Sequence, residues 1–65
     1  MNWDTIKGNW SQMTGKVKEE WGDLTDDDLT EAAGERDQLV GKIQARYGVA
    51  KDEAERQVDS FVAKH

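Results

Sequence analysis

Asp26, Asp27, Asp28 and Glu31 gather four carboxylates in a short stretch, the first place to look for a bound cation. A calcium loop needs ligands at alternating positions and a glycine at its sixth residue; counted from Asp23, the sixth residue here is Asp28. Carboxylates in the first turn of a helix complement its dipole without any metal, so no metal site is assigned. Gly8 to Lys16 and Gly34 to Lys42 each run from a glycine to a Gly-Lys pair, a pattern suggestive of a phosphate loop. In both, however, six residues separate the glycines rather than four, and Val17 or Ile43 stands where Ser or Thr would bind magnesium. Nucleophilic catalysis needs a base beside Ser, Thr or Cys. The chain has no cysteine, and its one imidazole is the terminal His65. No catalytic residue, cofactor or metal is therefore expected, and the chain does not read as an enzyme.

Gly15 and Gly41 are harder to dismiss. Both fall inside helical patterns, where glycine costs about 1 kcal/mol relative to alanine. Each lies about 145° from the centre of its own apolar face on a helical wheel. Small residues on an outer face let another backbone approach, and Lys16, Lys18, Lys42 and Arg46 would rim that approach with positive charge. Gly15, Lys16, Lys18, Gly41, Lys42 and Arg46 are thus the candidate partner surface. The plainer reading is that the glycines only weaken their helices. Lys42 and Arg46, four residues apart, repel slightly unless something anionic sits between them.

The elements that must carry these residues follow from an internal repeat. Gly8 to Gly22 aligns without a gap on Gly34 to Gly48, at an offset of 26 residues with 5 of 15 positions identical. Met13, Val17 and Trp21 in the first copy answer Leu39, Ile43 and Tyr47 in the second. In the first copy Trp10, Met13, Val17 and Trp21 share one helical face, predicting a helix over 9–21 with Asn9 as its cap, a Lys16–Glu20 ion pair and Gly22 as a left-handed stop. Thr25 followed by three aspartates predicts a second helix start, with Asp28 as the reciprocal partner of a capping box, ending near Ala33. Leu39, Val40, Ile43 and Tyr47 predict the next helix, stopped by Gly48. A last helix over 50–63 carries Ala54, Val58, Phe61 and Val62 at i, i+4, i+7 and i+8, with Val49 and Ala54 placed for a hydrophobic staple and Asp52–Arg56 as an ion pair. Before all of these, Trp3, Ile6 and Trp10 follow helical spacing, Asn2 is placed to cap a short helix, and Trp3 reads as a lid over a small core.

Sixty-five residues make one domain. Its repeat units fall at about 8–33 and 34–63, with 1–7 a short helix or a flexible end. With no disulfide available, helix packing must hold the fold. The predicted class is all-α, with two hairpins sharing one core of Trp10, Val17, Trp21, Leu24, Leu29, Leu39, Ile43, Tyr47, Val58 and Phe61. The charge balance of 14 acidic against 9 basic residues, net −5, favours solubility and argues against binding by phosphate neutralisation. No apolar run spans a bilayer and the N-terminus lacks signal-peptide character, so a cytoplasmic protein is expected.

Trp10, Gly15-Lys16-Val17-Lys18-Glu19, Trp21-Gly22, Leu24-Thr25-Asp26-Asp27-Asp28-Leu29, Asp37-Gln38-Leu39, Gly41-Lys42-Ile43-Gln44 and Arg46-Tyr47-Gly48 together resemble the CsbD-like family of small bacterial stress proteins. The likeness covers nearly the whole chain. It implies a four- to five-helix bundle of two crossed α-hairpins with an internal pseudo-twofold repeat, similar to SAM-domain-like folds, and expression under general stress. It brings no catalytic residue. Family members often carry a polar cap where Ala50 stands here. The expected function is that of a monomeric helical interaction or protective module with an unidentified protein partner and no membrane. The alternatives are weak nucleic-acid binding through Arg36, Lys42 and Arg46, and a hydrophilic protectant without a defined site.

Overall fold

Helix boundaries in the computed structural model, which describes residues 2–65, follow from local chemistry at most ends. Met1 lies outside the described residues. Asn2, in extended conformation, accepts the Thr5 backbone N–H and opens α1 (Trp3–Gly8). After a single non-helical residue, Asn9, comes α2 (Trp10–Glu20). Thr25 opens α3 (Asp26–Ala32) with a complete capping box. Its hydroxyl accepts the Asp28 N–H at 3.1 Å, and the Asp28 carboxylate accepts the Thr25 N–H at 3.1 Å. Two of the four backbone donors that a helix start leaves unpaired are thereby satisfied. The last two helices are α4 (Arg36–Tyr47) and α5 (Lys51–Lys64). Gly48 ends α4 with φ 67°, the left-handed conformation the sequence predicts for it.

The chain is all-α, with five helices and no strand among the described residues. Helix α4 packs against both α3 and α5, and α1 packs against α2. Their shared interior holds Ile6, Met13, Val17, Trp21, Leu24, Leu29, Leu39, Val40, Ile43, Ala54, Val58 and Phe61. The residues predicted for the core are there, with two exceptions. Trp10 is half-buried, packed on the core's edge. Tyr47 is exposed at 38%. It sits in the last turn of α4, where its hydroxyl accepts the Asp23 backbone N–H at 3.0 Å and ties down the loop after α2. A phenol that must reach a loop amide keeps its ring at the surface.

The three indole N–H groups show how the N-terminal third is attached. Trp3 donates to the Gly34 carbonyl and Trp10 to the Leu29 carbonyl, both at 3.0 Å, while Trp21 donates to the Gln57 side-chain oxygen at 2.9 Å. Trp3 also tilts against Trp10, their ring centres 6.2 Å apart, so Trp3 is the lid its spacing predicts. Gly34 is a close-contact glycine. Its φ is +82°, and a Cβ there would stand 3.2 Å from Lys7 Cγ.

Four local expectations are corrected. Gly22 is not left-handed; α2 ends at Trp21 with φ −124°, and the chain turns through a Leu24 N–H to Trp21 carbonyl bond that needs no positive φ. Asn9 does not cap α2, because its side-chain amide donates backward to the Thr5 carbonyl. Glu20 pairs with Lys64 of α5 at 2.7 Å rather than with Lys16. Arg56 pairs with Glu53, one residue nearer than Asp52, whose carboxylate takes the Glu53 N–H instead. Val49 packs on the core that contains Ala54, as a staple requires, while Ala50 gives α5 no side-chain cap.

Candidate functional site

Gly15 and Gly41 stand inside α2 and α4, and both are exposed. A methyl group built on either meets nothing within 4 Å. Neither glycine is therefore explained by close packing within the chain.

The cations around them converge on α3. Lys18 of α2 reaches Asp26 at 2.8 Å. From α4, Lys42 pairs with Glu31, and Arg46 forks onto Asp28, Nε to Oδ2 at 2.8 Å and Nη2 to Oδ1 at 3.2 Å. The anions between Lys42 and Arg46 are thus two carboxylates one helical turn apart on α3. Lys16 is exposed and makes no ion pair among the described residues. Of the four predicted rim cations, three are neutralised within the chain. Arg36, named with them in the nucleic-acid alternative, pairs with Asp59 at 2.8 Å and lies 3.7 Å from Glu55.

Asp28 is the pivot of this arrangement and is buried, only 6% exposed. The Arg46 guanidinium, followed by the Thr25 backbone N–H, holds its carboxyl at about 2, below the ordinary 3.8. Reciprocally, Asp28 raises Arg46 further above its usual value. The side chain that completes the capping box thus also clamps α3 to α4. Sequence reasoning finds the first role from the Thr-x-x-Asp spacing and misses the second, since nothing local says that Arg46 lies over that turn. On the far side, Glu53 is lowered by hydrogen bonds from Gln57 and Arg56, and Gln57 holds the Trp21 indole.

An open groove of about 510 Å³ separates α2 from α3, lined by Trp10, Ser11, Thr14, Asp26, Leu29, Thr30 and Ala33. It lies beside the glycine face of α2 and contains no converging acid–base pair. Among the described residues, no helix is long and apolar enough to cross a membrane.

The CsbD-like family profile matches residues 4–56, taking in the capping box, both glycines and Arg46. The chain belongs to the CsbD-like family. Similar CsbD-like proteins include the UPF0337 protein YjbJ of Escherichia coli O6:H1, 63% identical over all 65 residues here and 94% of that protein. The UPF0337 protein PA4738 of Pseudomonas aeruginosa is 61% identical over 61 residues, 94% of each chain. The UPF0337 protein NE2439 of Nitrosomonas europaea is longer; the 57% identical match covers 94% of this chain and 65% of that one. Neither the description of the CsbD-like family nor these names carries a catalytic activity.

Proposed function

We propose that this chain is a non-enzymatic stress-response module of the cytoplasm that works by presenting the α2 and α4 faces around Gly15, Lys16, Lys18, Gly41, Lys42 and Arg46 to a protein partner. The observation that carries the reading is the bare backbone at two exposed mid-helix positions. Each glycine costs about 1 kcal/mol of helix stability and relieves no clash within the chain. Close approach by another surface would give that cost a purpose. The internal neutralisation of Lys18, Lys42 and Arg46 suits a partner recognised by shape and backbone proximity more than one recognised by charge, and it counts against the nucleic-acid alternative.

The same proposal takes the chain as a single domain of two crossed α-hairpins related by the 26-residue repeat, with units at about 8–33 and 34–63. A pair of long-range hydrogen bonds supports this. Trp10 donates to the Leu29 carbonyl and Arg36 to the Glu55 carbonyl, and both donor and acceptor differ by the repeat offset. In the second unit the Arg36 side chain also reaches Asp59; in the first, the equivalent Trp10 and Ala33 border the open groove.

The test is capture of partners from stressed cells by the folded protein and by Gly15→Gln/Gly41→Gln. Glutamine keeps the helices and blocks close approach. A specific partner retained by the wild type at fixed stoichiometry and lost by the variant supports the reading. Identical capture by both removes it.

A further inference from the structure

Trp3, Ile6, Trp10, Met13 and Val17 recur at intervals of three, four, three and four residues, the seam of one uninterrupted amphipathic helix. The fold interrupts that helix at one residue, Asn9, with φ −118° and ψ 34°. The interruption is compensated at the end of α1, where the Asn9 side chain donates to the Thr5 carbonyl, but not at the start of α2. The Asn9 side chain gives α2 no cap, and its backbone N–H is shared between the Thr5 and Ile6 carbonyls, each at 3.2 Å. Among the described residues, the backbone N–H groups of Trp10 and Ser11 have no backbone acceptor. Beyond the break, α1 is held by residues far along the chain. Ile6 is fully buried, the Trp3 indole donates to the Gly34 carbonyl at 3.0 Å, and Lys7 pairs with Glu35 at 2.8 Å. Every docking group on that far side is carried equally by a second copy.

We propose that the chain has a dimeric form, formed with a second copy of itself, in which Asn9 joins α1 and α2 into one helix over 3–20 and each α1 docks at Gly34 and Glu35 of the other copy. Such a helix is about 27 Å long and keeps the five apolar residues on one face. The exchange re-forms the docking of α1 at Gly34 and Glu35 and gives the Trp10 and Ser11 N–H groups their helical acceptors, while the two copies meet in a self-complementary way. The closed monomer is favoured by dilution, because its docking is intramolecular; the exchanged dimer is favoured by accumulation. A net charge of −5 on each copy opposes the encounter, so added salt promotes it. This inference rests on the break at Asn9 and not on the surface around Gly15 and Gly41.

Sedimentation equilibrium on the wild type, Asn9→Ala and Asn9→Gly tests it, with circular dichroism showing that each is folded. Asn9 is exposed and contributes no core contact. Alanine there favours the continuous helix in both chains, by about 0.7 kcal/mol each, so the association constant should rise about tenfold. Glycine should lower it. In a dimer mixed from ¹³C-isoleucine-labelled and unlabelled copies, NOEs from the Ile6 methyls should run to the unlabelled chain. A folded Asn9→Ala that stays monomeric at millimolar concentration would overturn the proposal. So would a dimer in which Ile6 contacts only its own chain.

Discussion

Replacing Gly15 and Gly41 together by alanine should make this protein more stable, and the size of the gain can be worked out from the structure. Both residues are helical and exposed, neither has positive φ, and neither new methyl meets an atom within 4 Å. The change therefore acts through backbone entropy alone, about 0.9 kcal/mol at each site and ~1.8 kcal/mol for the pair. A 65-residue domain unfolds with an entropy of about 0.14 kcal/mol/K, so the melting temperature should rise by about 13 °C. Thermal unfolding followed at 222 nm measures this directly. A melting temperature that stays put or falls would show that the glycines serve packing inside the fold, and the reasoning from open space around them would fail.

Two other substitutions probe features that act in the opposite direction. Gly34→Ala should cost about 1–2 kcal/mol, because an alanine is strained at φ +82° and its methyl would press on Lys7; an unchanged denaturant midpoint would contradict that. Asp28→Asn should be most harmful near neutral pH. Since folding lowers the Asp28 carboxyl to about 2, its stabilisation is complete above the unfolded value near 4 and is lost as pH falls from 4 towards 2. The gap between wild-type and Asp28→Asn stabilities should therefore narrow across that window, and a constant gap would mean the Asp28–Arg46 fork adds nothing through charge.

Elements whose causes are local were legible in the sequence. Thr25 and Asp28 announce their capping box by spacing, Asn2 caps its own turn, and Gly48 adopts the left-handed stop because glycine has no Cβ to oppose a positive φ. Apolar periodicity placed Val17, Leu39, Ile43, Val58 and Phe61 inside. What failed was the choice of partner between elements. Glu20 has Lys16 one turn away and takes Lys64 from another helix, because exposed ion pairs are weak and small differences in geometry decide them. Tyr47 matches Trp21 in the repeat, but it ends a helix beside the Asp23 amide and is drawn outward. At the candidate surface, the glycines' exposure was readable from the helical wheel. The capture of Lys18, Lys42 and Arg46 by α3 was not, since it depends on where α3 lies across α2 and α4.

The separate attachment of the three indoles gives the molecule its own optical reporters. Trp21 is enclosed beside Phe61 and tied to Gln57, so its emission should stay blue until the whole core melts. Trp3 and Trp10 lean on each other and on carbonyls near the end of α3. Release of the N-terminal segment alone would redden and unpair those two chromophores while the third remained dark to solvent, separating local opening from global unfolding in a single spectrum.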